Sequence, residues 1–352
     1  MNIKKLQLKL NDGEAYLISS PENRRYFTGF SSSDGYLLIT KSEAVFMTDS
    51  RYIEAAQKEI TDCTEVALFT SLSVQLPEYV KKLSIQTLFT QAERLSVAEF
   101  NGIKKAAGCA CFAQNTDETV NSLRRQKNCE EKQKIIAAQR IAEKAFDYIL
   151  GFIKEGVTER EIALALDFFM LKNGAESVSF ETIAVSGKNS SMPHGVPCDK
   201  KIENGDFITM DFGAVVDGYH SDMTRTVAVG GVSSKQAEVY ETVLTAQKKS
   251  LDILCAGVSC TVADAAARDV IASAGFGEFF GHGTGHGVGI EIHEEPRVSP
   301  KSGSILQAGD VVTVEPGIYI PSKFGVRIED MAYITEKGCE NLTKSPKNLI
   351  IL

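Results

Sequence analysis

Two hydrophobic rhythms alternate over the first third of the chain. The runs AYLISS (from Ala15), GYLLIT (from Gly35), AVFMTD (from Ala44) and TEVALFT (from Thr64) are short and apolar, which predicts strands. The runs SRYIEAAQKEI, VQLPEYVKKL and SVAEFNGIKKAAG place apolar residues at helical spacing, which predicts helices. Residues 1–123 therefore read as a small α/β unit. A polar, charged stretch, Leu123 to Asn128, leads into a long helical pattern. Between Glu130 and Phe152 the residues Ile135, Ile136, Ala138, Ile141, Ala142, Ala145, Phe146 and Ile149 recur on one face. The boundary is placed here, giving domains 1–123 and 124–352.

The second domain repeats itself. Gly156-Val157-Thr158 opens a helical stretch that stops at Gly174, and Gly257-Val258-Ser259 opens another that stops at Gly275. Thr158 and Ser259 suit N-caps, and the closing glycines suit a left-handed C-terminus. Further on, GDFITMDFG (205–213) matches GDVVTVEPG (309–317). Two matches in one order and at nearly equal offset predict two α-β halves related by a pseudo-two-fold axis, each covering the other's sheet. The match puts Asp211 and Glu315 at equivalent strand positions.

Composition acts mainly by exclusion. The chain has 352 residues, 43% of them apolar, enough for two cores. A net charge of −8 offers no basic field for nucleic acid or an anionic membrane. No apolar run approaches the ~18 residues that span a bilayer. Lys9 and Asp12 interrupt the N-terminal apolar residues, so a signal peptide is not expected and the cytoplasm is. Cysteines 63, 109, 111, 129, 198, 255, 260 and 339 show no CxxC pair, and reduced core thiols without a function are expected. The histidines are confined to 194, 220, 282, 286 and 293, so any imidazole chemistry belongs to the second domain.

The acidic residues can be placed in register. If Asp217-Gly218 forms a two-residue hairpin turn, opposed positions sum to 435 and Asp211 faces Thr224. Asp222 then lies one diagonal step away on the same face. Two such carboxylates need a metal ion or a shared proton; the plainer alternative pairs Asp222 with Arg225. Glu315 and Glu329, across a turn-rich PSKFG segment, form a second carboxylate pair. Between the two pairs lies GHGTGHGVG (281–289), glycine at every odd position, which predicts extended chain with His282, Thr284, His286 and Val288 on one face. Four carboxylates with imidazole form a hard donor set, better suited to manganese, cobalt or iron than to a structural zinc. Two divalent ions sharing a water would give metal-assisted hydrolysis, of an amide in the first instance.

These residues resemble a known family. Asp211, Asp222, His286, Glu315 and Glu329, in that order, resemble the metal ligands of the pita-bread metallopeptidases, which include aminopeptidase P, prolidase and methionine aminopeptidase. The strings MDFGAVVDGYHSDMTRT, GHGTGHGVGIEIHEEPR, VVTVEPGIY and GVRIED carry the likeness. YFTGF (26–30) and TDSRY (48–52) resemble the creatinase-like N-terminal domain of the proline-specific branch. The resemblance implies a small creatinase-like α/β domain followed by a pita-bread catalytic domain, and a homodimer in which one chain's N-terminal domain borders the partner's site. It implies two divalent ions, manganese first, with cobalt, zinc or iron(II) as alternatives. Asp211 would chelate one ion, Asp222 and Glu329 would bridge both, and His286 and Glu315 would ligate the other, with Glu315 also taking a proton from the bridging water. By the same resemblance His194 stands beside the scissile carbonyl, His293 stabilises the tetrahedral intermediate and His282 lines the proline pocket. Arg327 is held against the metal carboxylates and counts among the substrate-side residues, with a plain ion pair as its alternative. His220 matches nothing and reads as surface or outer shell.

The expected activity is that of a Xaa-Pro aminopeptidase acting through a metal-bridging hydroxide on small peptides with proline second. A Xaa-Pro dipeptidase is the alternative. A dipeptidase must bind the free carboxylate beside the proline, and Arg297 is the candidate clamp, or else a rim residue. A metal-free creatinase-like hydrolase and a non-catalytic peptide-binding module both predict missing ligands, whereas all five are present.

Overall fold

The computed structural model describes residues 2–108, 111–113 and 117–352. The chain divides into two compact units, Met1–Arg124 and Arg125–Leu352.

The first unit is a mixed sheet with helices against it. Its strands follow the spatial order Glu65–Leu68, Ala44–Thr48, Tyr36–Thr40, Glu14–Ile18, Thr87–Thr90, Cys111–Ala113. The three consecutive strands from Glu14 to Thr48 pair antiparallel, and the outer pairings are parallel. The helices Ile53–Glu59, Leu72–Lys82 and Val97–Ala107 stand where the spacing placed them. Ala15, Leu17, Leu38, Val45, Met47, Leu76, Val80, Leu88 and Ile103 form a core on one sheet face. Two short helices, Asn2–Gln7 and Pro21–Thr28, have no counterpart in the sequence reading. The second ends at Gly29, at φ 74, inside the YFTGF motif.

In the second unit, helix Cys129–Leu150 starts with a reciprocal cap between Asn128 and Glu131. It buries Ile135, Ala138, Ala142, Ala145, Phe146 and Ile149. Helix Glu159–Lys172 is capped by Thr158 and helix Cys260–Ser273 by Ser259, as the repeat required. Caps of this kind contribute about 1 kcal/mol each. Gly156, Gly174, Gly205 and their counterparts Gly257, Gly275 and Gly309 all have φ between 83° and 101°, a left-handed backbone that any Cβ would strain. Both halves therefore turn at the same places.

Each half builds a carboxylate-bearing hairpin. Strand Phe207–Phe212 pairs antiparallel with Met223–Ala228 and with Ile183–Ser186. Asp211 faces Thr224, the register read from the turn. Asp217 and Gly218 have φ of 48° and 78°, positive at both positions as a type I′ turn needs. In the second half Val311–Val314 pairs with Asp330–Thr335, and Gly317–Ile320 with Phe324–Arg327. One register runs through both ladders, which sets Glu315 opposite Glu329. The hairpins meet edge to edge: Glu329 N donates to Thr224 O at 3.1 Å, and Thr226 Oγ1 to Arg327 O at 3.0 Å.

The charged stretch after Arg124 is tied into its unit: Arg125 Nε reaches Asp310 Oδ1 at 2.8 Å, and Lys127 is buried against Glu294 at 2.9 Å. Two readings need correction. Arg225 pairs with Asp330 at 2.9 Å, not with Asp222. Of the described free cysteines only Cys260 is buried, while Cys129 is exposed. Cys109 lies outside the described residues, as does the side chain of Cys111.

Candidate metal centre

The two hairpins and the glycine-rich segment border a cavity of about 570 Å³. Asp211, Asp222, His286, Glu315 and Glu329 line it, as do His194, His282, His293, Arg297 and Arg327. Every candidate site residue is thus brought to one cavity. His220 is not among the lining residues; its Nδ1 lies 2.8 Å from Ser179 Oγ.

The glycine-rich segment behaves differently from a continuous strand. Only Gly285–Gly287 is regular, with a break in register between its ends. His282 and His286 face the cavity. Thr284 instead bonds Asp264 through its N–H (3.0 Å) and hydroxyl (2.9 Å), and Val288 enters a core cluster with Ile135, Val311 and Met331. The glycines are explained by close approach. A Cβ at Gly285 would stand 2.0 Å from Thr313 O, and one at Gly287 would stand 2.4 Å from Glu295 O.

The inner group consists of acceptors facing acceptors. Ligand atoms of Asp222, His286 and Glu329 lie within 4.8 Å of one another. His286 Nδ1 is 3.1 Å from Gly287 O, a carbonyl that can only accept, so Nδ1 carries the proton. The Nε2 lone pair then faces Asp222 Oδ2 at 3.5 Å and Glu315 Oε1 at 3.4 Å. Asp211 Oδ1 is buried and has no hydrogen-bond partner among the described residues. A buried acceptor without a donor costs about 1–3 kcal/mol.

The electrostatics agree. Burial, then the charges of Glu329, Asp211 and Glu315, holds the Asp222 carboxyl well above its usual range. Burial, then Glu315 and Asp211, does the same to Glu329. Burial raises Glu315 to about 7. Burial, reinforced by His293, lowers His286 to about 3, so its imidazole is neutral. Four carboxylates meet here, and among the described residues Arg327 is the cation bonded to them, to Asp211 at 2.6 Å. A hard, oxygen-rich set with a neutral imidazole, an orphaned oxygen and surplus negative charge fits divalent cations.

Arg327 directs four of its five N–H groups to protein acceptors. Its Nη2 holds Asp211, Nε donates to Thr224 Oγ1 at 3.1 Å, and Nη1 donates to Tyr319 OH at 2.9 Å and Pro193 O at 3.2 Å. The ion-pair alternative therefore describes it better than substrate contact. Tyr319 passes the chain on to His282 Nε2 at 3.0 Å. Burial and the Arg327 charge lower His282 to about 4, so that nitrogen accepts. His194, His293 and Arg297 are exposed at the cavity wall, and burial followed by Arg297 lowers His293.

Sequence reasoning assigned no role to Tyr319, Thr224 or Thr313. Thr224 Oγ1 donates to Glu329 Oε2 at 2.7 Å, and Thr313 Oγ1 to Glu315 Oε1 at 3.1 Å. A signal existed for Thr313, which sits two residues before Glu315 and so on the same strand face.

Residues 133–336 match metallopeptidase family M24, and residues 3–126 match the creatinase/prolidase N-terminal domain. The structure is similar to a Xaa-Pro dipeptidase from Bacillus anthracis, with TM-score 0.95 and 43% identity over 100% of this chain and 99% of that one. It is also similar to an X-Pro aminopeptidase from Thermotoga maritima, with TM-score 0.91 and 40% identity over 96% and 97%. In sequence, a Xaa-Pro dipeptidase of Pyrococcus horikoshii is 40% identical over 97% of this chain and 95% of its own length. With both domains matched in order and the mixed α/β architecture shared throughout, the chain belongs to metallopeptidase family M24.

Proposed function

We propose that the protein is a metal-dependent Xaa-Pro dipeptidase. The observation that carries the hydrolytic reading is the acceptor-only cluster of Asp211, Asp222, His286, Glu315 and Glu329, which would hold two divalent cations, manganese first. Such ions supply hydroxide at neutral pH and polarise a carbonyl. The names of relatives from Pyrococcus horikoshii and Bacillus anthracis favour the dipeptidase over the aminopeptidase first expected. The Thermotoga maritima structure keeps aminopeptidase as the second reading.

In this reading Glu315 accepts the proton of the attacking water. His194 and His293 donate to the oxyanion as it forms. Proline after the scissile bond leaves an amide with no N–H, so selection rests on the ring, packed by His282. Arg297 has no side-chain partner among the described residues, and its fork suits the free carboxylate of a dipeptide. Arg327 touches no substrate and keeps Asp211 in place. A homodimer in the cytoplasm completes the proposal.

The test compares a Xaa-Pro dipeptide with a Xaa-Pro-Xaa tripeptide in the presence of manganese. Preference for the dipeptide supports the proposal, and preference for the tripeptide returns the reading to aminopeptidase. Turnover that survives complete metal removal rejects both.

A further inference from the structure

Glu159 lines no part of the cavity and is fully buried, 0% exposed, at the first position of helix Glu159–Lys172. Among the described residues no Lys or Arg bonds its carboxylate directly. It accepts from Ser186 N at 2.7 Å and Ser186 Oγ at 2.9 Å, through Oε1. Asn189 Nδ2 reaches both its oxygens, at 3.1 and 3.2 Å. Cys198 N and Sγ donate to Oε2 at 3.2 and 3.1 Å. The nearest cation in the chain of contacts, Lys200, reaches Ser186 Oγ at 3.0 Å and Asp206.

Taking a carboxylate fully out of water costs several kcal/mol before its hydrogen bonds offset the loss. Here the donors come from both ends of one segment, Ser186 and Cys198. Between them lie Pro193, His194, Gly195, Val196 and Pro197, all on the cavity wall. The helix start closes the same end, since Glu159 N donates to Lys200 O and Arg160 N to Cys198 O, both at 3.0 Å. His194 itself is exposed and its side chain makes no hydrogen bond among the described residues, so its position depends on how the segment is tied.

We infer that Glu159 is a positioning residue that clasps the two ends of segment 186–198 and thereby sets His194 over the reacting carbonyl. The inference rests on the role proposed above for His194. A transition-state donor displaced by about 1 Å loses on the order of 100-fold in rate.

The test is a double-mutant cycle of Glu159→Gln with His194→Ala in the manganese-loaded full chain, with hydrogen exchange across residues 187–198 in the metal-free protein. Glu159→Gln keeps the shape but turns an amide N–H₂ toward donors. The expected result is a fall in kcat on the order of 100-fold, little change in KM, faster exchange confined to 187–198, and less than about twofold further loss in the His194→Ala background. Multiplicative losses, or unchanged exchange in that segment, overturn the inference while leaving His194 its role. A fully active His194→Ala variant overturns both. Should Glu159→Gln not fold, Ser186→Ala removes one hydroxyl donor and is read in the same cycle by the same criteria.

Discussion

Replacing Glu329 by glutamine takes one charge out of the most crowded part of the acidic cluster. It is expected to make the metal-free protein more stable, although it removes a proposed ligand. A Glu329 oxygen lies within 4.8 Å of a ligand atom of Asp222. Two full charges at that separation repel by roughly 3–4 kcal/mol at an effective dielectric of about 20. Burial and the neighbouring carboxylates raise the pKa of both groups and so favour their uncharged forms, which makes the realised gain smaller, about 1–2 kcal/mol. For a unit of this size that raises Tm by roughly 2–8 °C. The replacement's amide oxygen can still accept the Thr224 hydroxyl, which keeps the hydrogen bond now at 2.7 Å.

The sign of the pH dependence follows from the same groups. A carboxyl whose pKa is raised on folding binds more protons in the native than in the unfolded state, so stability falls as pH rises. In the metal-free protein the loss begins above the unfolded carboxyl pKa of about 4 and, for Glu315, continues through about 7. The Glu329→Gln variant should show a shallower decline. Manganese reverses the order: at 100 times Kd a single site adds about 2.7 kcal/mol to the wild type, and the variant forfeits most of it. Thermal unfolding in chelator and in manganese, at pH 6 and pH 8, measures all four quantities. A metal-free variant that melts below the wild type at pH 8, or one with an undiminished manganese increment, would refute the reasoning.

Three other substitutions probe separate parts of the structure. Arg297→Ala should raise KM for a Xaa-Pro dipeptide by about 10–100-fold, the worth of a charged hydrogen bond, and spare kcat; steady-state kinetics with a C-terminally amidated dipeptide, which should show no such change, is the control. Gly285→Ala drives a methyl to 2.0 Å from Thr313 O and should cost at least 1–3 kcal/mol, seen as a lower denaturation midpoint. Arg225 and Lys347 overcome the effect of burial and depress the Asp330 pKa, so Asp330 adds stability above its unfolded pKa of about 4 that is lost as pH falls through the lower folded value. Asp330→Asn should therefore be less stable by about 3–5 kcal/mol at neutral pH and flatten the acid limb of the stability curve.

Legibility in the sequence tracked the range of the interactions. A two-residue turn propagates register without outside help, so Asp217-Gly218 sufficed to place Asp211 opposite Thr224. Caps are local too, and Thr158 and Ser259 were readable for that reason. The partner of Arg225 was not readable. Asp330 lies in the other half of the repeat, and nothing local ranks it above the nearer Asp222. Arg327 shows the same limit, because its engagement depends on Thr224, Tyr319, Asp211 and Pro193 converging from separate segments. The alternation expected across residues 281–289 failed at a bulge, where Thr284 found a stronger partner in Asp264 than a place on the cavity wall. Helix Asn2–Gln7 has six residues, too few for a period to register.

The repeat also accounts for where the chemistry sits. Either half alone would bury a carboxylate pair, Asp211 with Asp222 or Glu315 with Glu329, and each pair repels itself in a low-dielectric setting. Joining the hairpins along Thr224–Thr226 and Arg327–Glu329 brings the pairs together, which on charge alone worsens the repulsion. The arrangement is stable only if something positive is shared across the seam. Arg327 supplies one such charge from within the chain, and it does so at Asp211, the carboxylate whose other oxygen lacks a donor among the described residues. The remaining charge is what divalent cations would neutralise. A duplicated fold with a carboxylate at the end of each hairpin therefore implies a seam that binds cations, because the seam is the one place where both halves can share them.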